Sequence, residues 1–223
     1  MKKAVVLLSG GLDSATTLYV ALKRSFKCFC LIFDYGQRHR NELAAAKQVA
    51  RQAGCPFRII KINLPWKGSA LLDKKLKVPS ASGFRLQASG SIPNTYVPGR
   101  NIIFLSFALS YAETIGASSI FIGAHAQDYS GYPDCRPNFF RSFNKAAAYG
   151  TKAGAENRRI KIRTPLINKK KSGIIKLGKR LGVPFALTWS CYRGGRAPCG
   201  ECDSCYYRAK GFKEAGLKDP QIW

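Results

Sequence analysis

Residues 4–14 have the sequence AVVLLSGGLDS, which joins a short apolar run to a polar loop with two glycines. Residues 4–8 carry no charge and include β-branched side chains, as expected of a strand buried inside a parallel sheet. Residues 14–24 follow with a helical pattern. Because ligands bind at the carboxyl ends of strands in doubly wound sheets, this junction is the first candidate for a binding site.

The alternation of strand and helix patterns continues along the chain. Further strands are predicted at residues 28–33, 57–62, 119–123 and 160–162. Helices are predicted at residues 41–53, 102–115 and 170–181. Another helix is predicted to begin at Pro137, and a final helix follows the cysteines and ends at about residue 215. Residues 64–98 show no sustained helical or strand periodicity of apolar residues, which predicts a long loop. The order predicts an α/β fold, with an open, mostly parallel sheet and helices on both faces. We expect residues 1–187 to form this domain and residues 188–223 a small C-terminal zinc-binding lobe.

The loop from Ser9 to Ser14 has the features of an anion site. Gly10 and Gly11 allow a tight turn that exposes backbone N–H groups, and Ser14 is predicted to cap the following helix, whose positive end faces the loop. Neither of two common phosphate-loop patterns, GxxxxGK[ST] and GxGxxG, is present. An ordinary strand–turn–helix connection would not require serine at both ends and an aspartate between them.

Four of the eight cysteines are clustered at Cys191, Cys199, Cys202 and Cys205. The last three have C-x-x-C-x-x-C spacing, which is typical of a closed, structural zinc site. An iron–sulfur cluster and redox chemistry by Cys202 and Cys205 remain alternatives. The other four cysteines, Cys28, Cys30, Cys55 and Cys135, are expected to pack as small apolar residues, although Cys135 lies in a loop where a nucleophile is conceivable.

Three more polar segments follow predicted strands or precede predicted helices. They are residues 34–39 (DYGQRH), 97–101 (VPGRN) and 128–137 (DYSGYPDCRP). Carboxylates can accept from ring N–H groups, arginine can bind a carboxylate, and tyrosines can stack on a planar heterocycle. His39 and His125 are the only histidines, and neither is assigned a catalytic role.

The SGGLDS segment resembles the PP-loop of the ATP pyrophosphatase superfamily. The order SGGLDS, DYGQRH, VPGRN, DYSGYPDCRP, TPL and SCY before the cysteine cluster resembles the 7-cyano-7-deazaguanine synthase family of queuosine biosynthesis, over essentially the whole chain. The resemblance implies ATP-dependent conversion of 7-carboxy-7-deazaguanine and ammonia to the nitrile, through an adenylated acid and an adenylated amide. It also implies a homodimer, one structural Zn²⁺ per chain, and ATP with Mg²⁺ as cosubstrate.

Site residues are assigned on the matching positions. Asp13, Ser14, Asp134 and Arg136 are the predicted catalytic residues, and Tyr132, Asp134 and Arg136 are predicted to bind the deazapurine acid. The predicted ATP-binding residues are Leu8, Ser9, Gly10, Gly11, Leu12, Asp13, Ser14, Tyr35, Gln37, Arg100 and Asn101. Asn138 and Gly173 depart from residues common in the family, and their effect is left open.

The chain is strongly basic, with 37 Lys and Arg, 12 Asp and Glu, and a formal charge of +25 over 223 residues. Such a charge attracts nucleic acid nonspecifically. The alternative functions are therefore a tRNA-modifying PP-loop enzyme, of the thiolation or lysidine synthetase type, and a zinc-bearing nucleic-acid module. RNA contact is not favoured, because the short chain has little room for RNA-binding segments. With no bilayer-length apolar run and no signal-peptide cleavage site, a cytoplasmic protein without membrane contact is expected.

Overall fold

Five parallel strands form the sheet of the computed structural model, which describes residues 1–38, 40–80, 92–126 and 131–221. The strands are β1 (Lys3–Leu7), β2 (Lys27–Asp34), β3 (Phe57–Lys61), β4 (Ser119–Phe121) and β5 (Lys161–Arg163). Their order is β3-β2-β1-β4-β5, and all four neighbouring pairs are parallel. The strand order reverses at β1, so the loop that follows β1 lies where ligands bind in such sheets.

Seven α-helices connect and cover the strands within the described residues. They are α1 (Leu12–Lys23), α2 (Asn41–Gln52), α3 (Arg100–Thr114), α4 (Pro137–Tyr149), α5 (Lys152–Ala155), α6 (Lys171–Arg180) and α7 (Asp203–Ala215). Short 3₁₀ turns form at Pro133–Cys135 and Phe185–Leu187.

The side chains of β1 alternate between two cores, one on each face of the sheet. Ala4 and Val6 join the core formed with α1, α2, α6 and α7, whereas Val5 and Leu7 join the core formed with α3, α4 and α5. This arrangement confirms the predicted parallel sheet with helices on both faces. Among the described residues, no helix is both long and apolar enough to cross a membrane.

The start of α1 differs from the prediction. The helix begins at Leu12, with Gly11 in the extended N-cap position and no side-chain cap. Ser14 therefore lies inside the first turn, and the prediction that it caps the helix was wrong. Its hydroxyl instead donates to Gly11 O at 3.0 Å and accepts from Ser9 N at 3.2 Å.

The C-terminal segment is attached to the sheet domain at several points. Helix α7 packs against α6, Trp189 N donates to Gly10 O at 2.9 Å, and a β-bridge joins Ser80 to Cys202. Whether residues 188–223 form a separate lobe stays a prediction. The predictions for His39, for residues 81–91 of the long loop and for residues 127–130 lie outside the described residues.

Arg208 of α7 makes a further attachment, and its side chain is almost completely buried. Its guanidinium donates to both carboxylate oxygens of Asp219, at 2.8 and 2.9 Å. It also donates to Thr188 Oγ1 at 2.8 Å, Ser190 Oγ at 3.3 Å and Phe185 O at 3.1 Å. One side chain thus ties the end of the described chain to the segment that precedes the cysteines.

Candidate active site

The two glycines of the loop after β1 have different environments. Gly10 has a φ of +91°, and a Cβ there would lie 2.3 Å from Glu42 O and 2.8 Å from Ala46 N, so only glycine lets α2 approach this closely. A Cβ on Gly11 would make ordinary contacts, at 3.6 Å to Ser9 Oγ and 3.7 Å to Trp189 O. Gly10 is therefore needed for packing, whereas a small side chain at Gly11 would not clash with the protein.

The serines fix the loop against the first turn of α1. Ser9 Oγ and Ser14 Oγ lie 3.1 Å apart, and Gly11 N donates to Ser9 Oγ at 3.3 Å. The first N–H groups of a helix have no acceptor within that helix, and the helix dipole makes this end positive. The geometry therefore suits a bound phosphate group.

Asp13 of this loop contacts two side chains from distant parts of the sequence. Lys171 Nζ donates to its carboxylate oxygens at 3.0 and 2.8 Å and lies 2.8 Å from His125 Nε2. His125 Nε2 lies 3.5 Å from Asp13 Oδ2. Burial raises the pKa of Asp13, but the charges and hydrogen bonds of Lys171 and His125 outweigh it, so that this pKa lies well below its usual value.

A single cavity of about 280 Å³ extends from this loop along the carboxyl edge of the sheet. Of the predicted site residues, it is lined by Leu8, Ser9, Gly11, Leu12, Asp13, Ser14, Tyr35, Gln37, Arg100, Asn101 and Tyr132. Among the residues predicted for catalysis, ATP binding or substrate binding, Gly10, Asp134 and Arg136 do not line it. The cavity therefore brings together residues from all four polar segments, which lie far apart in the sequence.

Tyr35, Gln37 and Arg100 form one wall of the cavity. The side-chain amide of Gln37 binds the backbone at the end of β2. It accepts a hydrogen bond from Tyr35 N at 2.9 Å and donates one to Phe33 O at 3.2 Å. Arg100 Nη1 donates to the Tyr35 hydroxyl at 3.2 Å. Burial raises the pKa of Tyr35, and the charge of Arg100 acts in the opposite direction. The tyrosine therefore stays protonated and can also donate a hydrogen bond to a ligand.

Asp134, Cys135 and Arg136 are adjacent in sequence but have different surroundings. The buried carboxylate of Asp134 accepts from Asn101 N at 2.9 Å, at the start of α3. Asn101 Nδ2 lies 3.1 Å from the sulfur of Cys135, which lines the cavity. Arg136 is exposed. Asp134 is thus placed to hold Asn101, while the direct catalytic and substrate-binding roles of Asp134 and Arg136 stay predictions.

Several cavity residues were not predicted from the sequence. Lys171, His125, Ser190, Tyr192, Asp203 and Arg208 all line the cavity. The only signal for Lys171 is its place at the end of a basic run just after β5. Asp203 lies between two predicted metal ligands, and the cysteine spacing that predicts the metal site gives no separate signal for this aspartate.

The four clustered cysteines converge, as the spacing predicts. The sulfur atoms of Cys191, Cys199, Cys202 and Cys205 all lie within 4.8 Å of one another. Two sulfurs also accept backbone N–H groups: Cys191 Sγ from Cys199 N and Cys199 Sγ from Cys202 N, both at 3.3 Å. A tetrahedral metal with bonds of about 2.3 Å places its sulfurs roughly 3.8 Å apart, so the arrangement fits one metal ion.

The chain is similar to known proteins over most of its length. Residues 3–216 match the family described as queuosine biosynthesis protein QueC. The chain is 50% identical to a 7-cyano-7-deazaguanine synthase from Anaeromyxobacter sp. (strain Fw109-5), over 100% of this chain and 96% of that protein. It is 54% identical to one from Acetivibrio thermocellus, over 98% of this chain and 96% of that protein.

The fold is also similar to that of a solved structure. NMN synthetase from Francisella tularensis superposes with a TM-score of 0.50 at 15% identity, covering 97% of this chain and 78% of that one. At this identity the similarity concerns the fold alone.

Proposed function

Because the chain belongs to the queuosine biosynthesis protein QueC family, we propose that it uses ATP to convert 7-carboxy-7-deazaguanine and ammonia into 7-cyano-7-deazaguanine. The observation that carries this proposal is the single cavity between β1 and the cysteine segment. Its lining includes the phosphate loop and also Tyr35, Tyr132, Tyr192 and Arg100, which suit a planar heterocycle.

The chemistry requires activation of a carboxylate, since its oxygen is a poor leaving group. Attack of the carboxylate on the α-phosphate of ATP gives an acyl adenylate and releases pyrophosphate. Ammonia then displaces AMP to form the amide. A second adenylation, at the amide oxygen, followed by loss of AMP and a proton, leaves the nitrile. Each nitrile therefore consumes two ATP and releases two AMP and two pyrophosphate.

The residues of this chain supply position and charge for these steps. Backbone N–H groups at the start of α1 bind the leaving pyrophosphate, and Lys171 places a positive charge beside them. Its ammonium is held between Asp13 and His125, so little reorganisation is needed when negative charge develops on the phosphates. Asp13 has a double role, because it orients Lys171 and its carboxylate can also accept Mg²⁺, which neutralises polyphosphate charge when bound.

We also propose that the metal is a structural Zn²⁺ held by all four cysteine thiolates. Four ligands leave no open coordination position for catalysis. A cluster of several irons would hold its four thiolates farther apart, because the irons lie between them. The sulfur separations of 3.3 Å (Cys202–Cys205) and 3.9 Å (Cys199–Cys205) suit a single ion better.

The proposed reaction is tested by incubating the purified chain with ATP, ammonium and 7-carboxy-7-deazaguanine and following products by mass spectrometry. We expect the amide and then the nitrile, with two AMP and two pyrophosphate released for each nitrile formed. ADP and phosphate as products would rule out the adenylation route. In a parallel incubation that also contains tRNA, a modified tRNA with no free nitrile would favour a tRNA-modifying enzyme instead. Light scattering tests the homodimer, and fractionation of cells tests the cytoplasmic location.

A further inference from the structure

Asp203 places a carboxylate in the wall of the cavity, between two cysteines of the metal cluster. It is the first residue of α7, it lines the cavity, and it is only 7% exposed. Neighbouring Cys202 and Cys205 are fixed by the cluster, so the position of Asp203 is fixed with them. The cysteine segment therefore contributes a rigid acidic group to the site.

This carboxylate has few partners within the chain. Across residues 1–38, 40–80, 92–126 and 131–221, the hydrogen bond that it accepts from another residue comes from Ser204 N, at 2.7 Å. No lysine or arginine in that part of the chain forms an ion pair with it, and the buried Arg208 pairs with Asp219 instead. Burying a carboxylate without compensating donors is unfavourable, so its remaining acceptor positions are available for donors on a ligand.

Aromatic side chains line the same cavity as Asp203. Tyr132, Tyr192 and Asp203 all line this cavity. Tyr132 is positioned by a hydrogen bond of 2.8 Å between its hydroxyl and Thr95 Oγ1, and Tyr207 also lines the cavity. A flat ring system can stack here while its edge faces Asp203.

We propose that Asp203 recognises the guanine-type edge of the substrate, accepting hydrogen bonds from the ring N1–H and the 2-amino group of 7-carboxy-7-deazaguanine. The inference rests on the proposed function and names the residue that gives it specificity. Two adjacent N–H donors match the two oxygens of one carboxylate in the same plane. A hypoxanthine-type or adenine-type ring offers a different donor pattern along this edge.

The proposal also explains how the reacting group is positioned. In a 7-deazaguanine the carboxyl at C7 lies on the five-membered ring, on the far side of the bicycle from the 2-amino group. A residue that holds the amino edge therefore sets the distance between the carboxyl and the phosphate loop. The backbone hydrogen bond from Trp189 to Gly10 joins the segment that carries Asp203 directly to that loop.

The test measures binding rather than turnover. Isothermal titration calorimetry compares 7-carboxy-7-deazaguanine with the analogue that lacks only the 2-amino group. Wild type should bind the first roughly 10- to 100-fold more tightly, as expected for a hydrogen bond to a charged group. Asp203→Asn should reduce this preference to a few-fold, because its amide nitrogen opposes a donor instead of accepting from it.

Glu201→Gln is the matched control. Glu201 lies two residues before Asp203 and carries the same charge. Its side chain is 67% exposed and pairs with Arg193, and it does not line the cavity. This variant should keep the wild-type preference. Zinc content, measured in parallel, shows whether each variant keeps the cluster. If Asp203→Asn loses zinc, Asp203→Glu replaces it and should keep a preference for the amino compound at lower affinity.

Equal discrimination by wild type and Asp203→Asn, with zinc retained, would overturn the proposal. So would an Asp203→Asn variant that binds both compounds normally but has a raised KM for ammonium, since the carboxylate would then serve ammonium. If wild type binds neither compound, the proposed function itself fails, and this result is distinct from the loss of discrimination.

Discussion

The phosphate loop and the cysteine segment both line one cavity, but different interactions hold them in place. The phosphate loop connects a central strand directly to a helix, and its shape is fixed by backbone packing against α2. Between Leu187 and Asp203 the chain contains no helix or strand apart from the bridge at Cys202, and the sulfur atoms converge instead. Substitutions of phosphate-loop residues that face the cavity should therefore change rate, whereas loss of the metal should change structure.

The largest effect is expected for Cys202→Ser. Binding free energies of structural zinc sites reach about 10–16 kcal/mol, and most of this energy stabilises the fold. The variant should lose metal and show either a large fall in Tm or insolubility, measured by elemental analysis and calorimetry. Cys55→Ala, at a buried cysteine outside the cluster, should keep its metal. A Cys202→Ser protein with full zinc content and unchanged Tm would contradict the assignment.

The next largest effect concerns rate. Lys171→Met removes the charge beside Asp13, and kcat for AMP formation should fall about 10²- to 10³-fold, as for the loss of one group that stabilises transition-state charge. Lys176→Met, at an exposed position on the same helix, should leave kcat nearly unchanged. Equal rates for the two variants would exclude a role for Lys171 in charge stabilisation.

The two glycines of the loop distinguish packing from binding. Gly10→Ala should lower the free energy of unfolding by about 1–3 kcal/mol or more, because its Cβ overlaps the backbone of α2. Gly11→Val should keep a near-native Tm, since its backbone is extended, but lose ATP turnover because the side chain fills the phosphate site. Chemical denaturation and an AMP assay on both variants separate the effects, and normal turnover in Gly11→Val would exclude phosphate binding there.

The smallest effect is the pH dependence of Asp13. Because folding lowers the pKa of Asp13, its contribution to stability is present above the unfolded value of about 4 and is lost as pH falls further toward the folded value. The Tm difference between wild type and Asp13→Asn should therefore be larger at pH 7 than near pH 3. Protonation of the cysteine cluster affects both proteins and cancels in the difference. A difference that grows on acidification would contradict the ion pair.

The strands and helices of this molecule could be predicted from local sequence patterns. The five strands, the helices on both faces and the position of the SGGLDS loop depend on runs of apolar residues and on turns that are close in sequence. The convergence of the four cysteines is also local, since three of them lie within seven residues. These features could be predicted because neighbours in the chain determine them.

Contacts between distant residues could not be predicted in this way. Lys171 reaches Asp13 across 158 positions, and no periodicity encodes that approach. Ser14 looks like a helix cap in the sequence, but the helix begins two residues earlier because Gly11 already has the extended N-cap conformation. Asp134 and Arg136 occur in the most specific loop motif, yet one holds a backbone N–H and the other is exposed. Only the folded chain shows which polar side chain faces the ligand.

The buried pair of Arg208 and Asp219 has a consequence for how this family changes through evolution. Removing Asp219 alone would leave the buried charge of Arg208 without its partner, at a cost of about 3–5 kcal/mol, whereas replacing both residues with apolar ones can be nearly neutral. Because such a loss is a large fraction of the typical stability of about 5–15 kcal/mol, single substitutions here are disfavoured, and we expect the two residues to be inherited, lost or exchanged together. A related sequence that retains only one of Arg208 and Asp219 should also contain a new residue that pairs with the remaining charge.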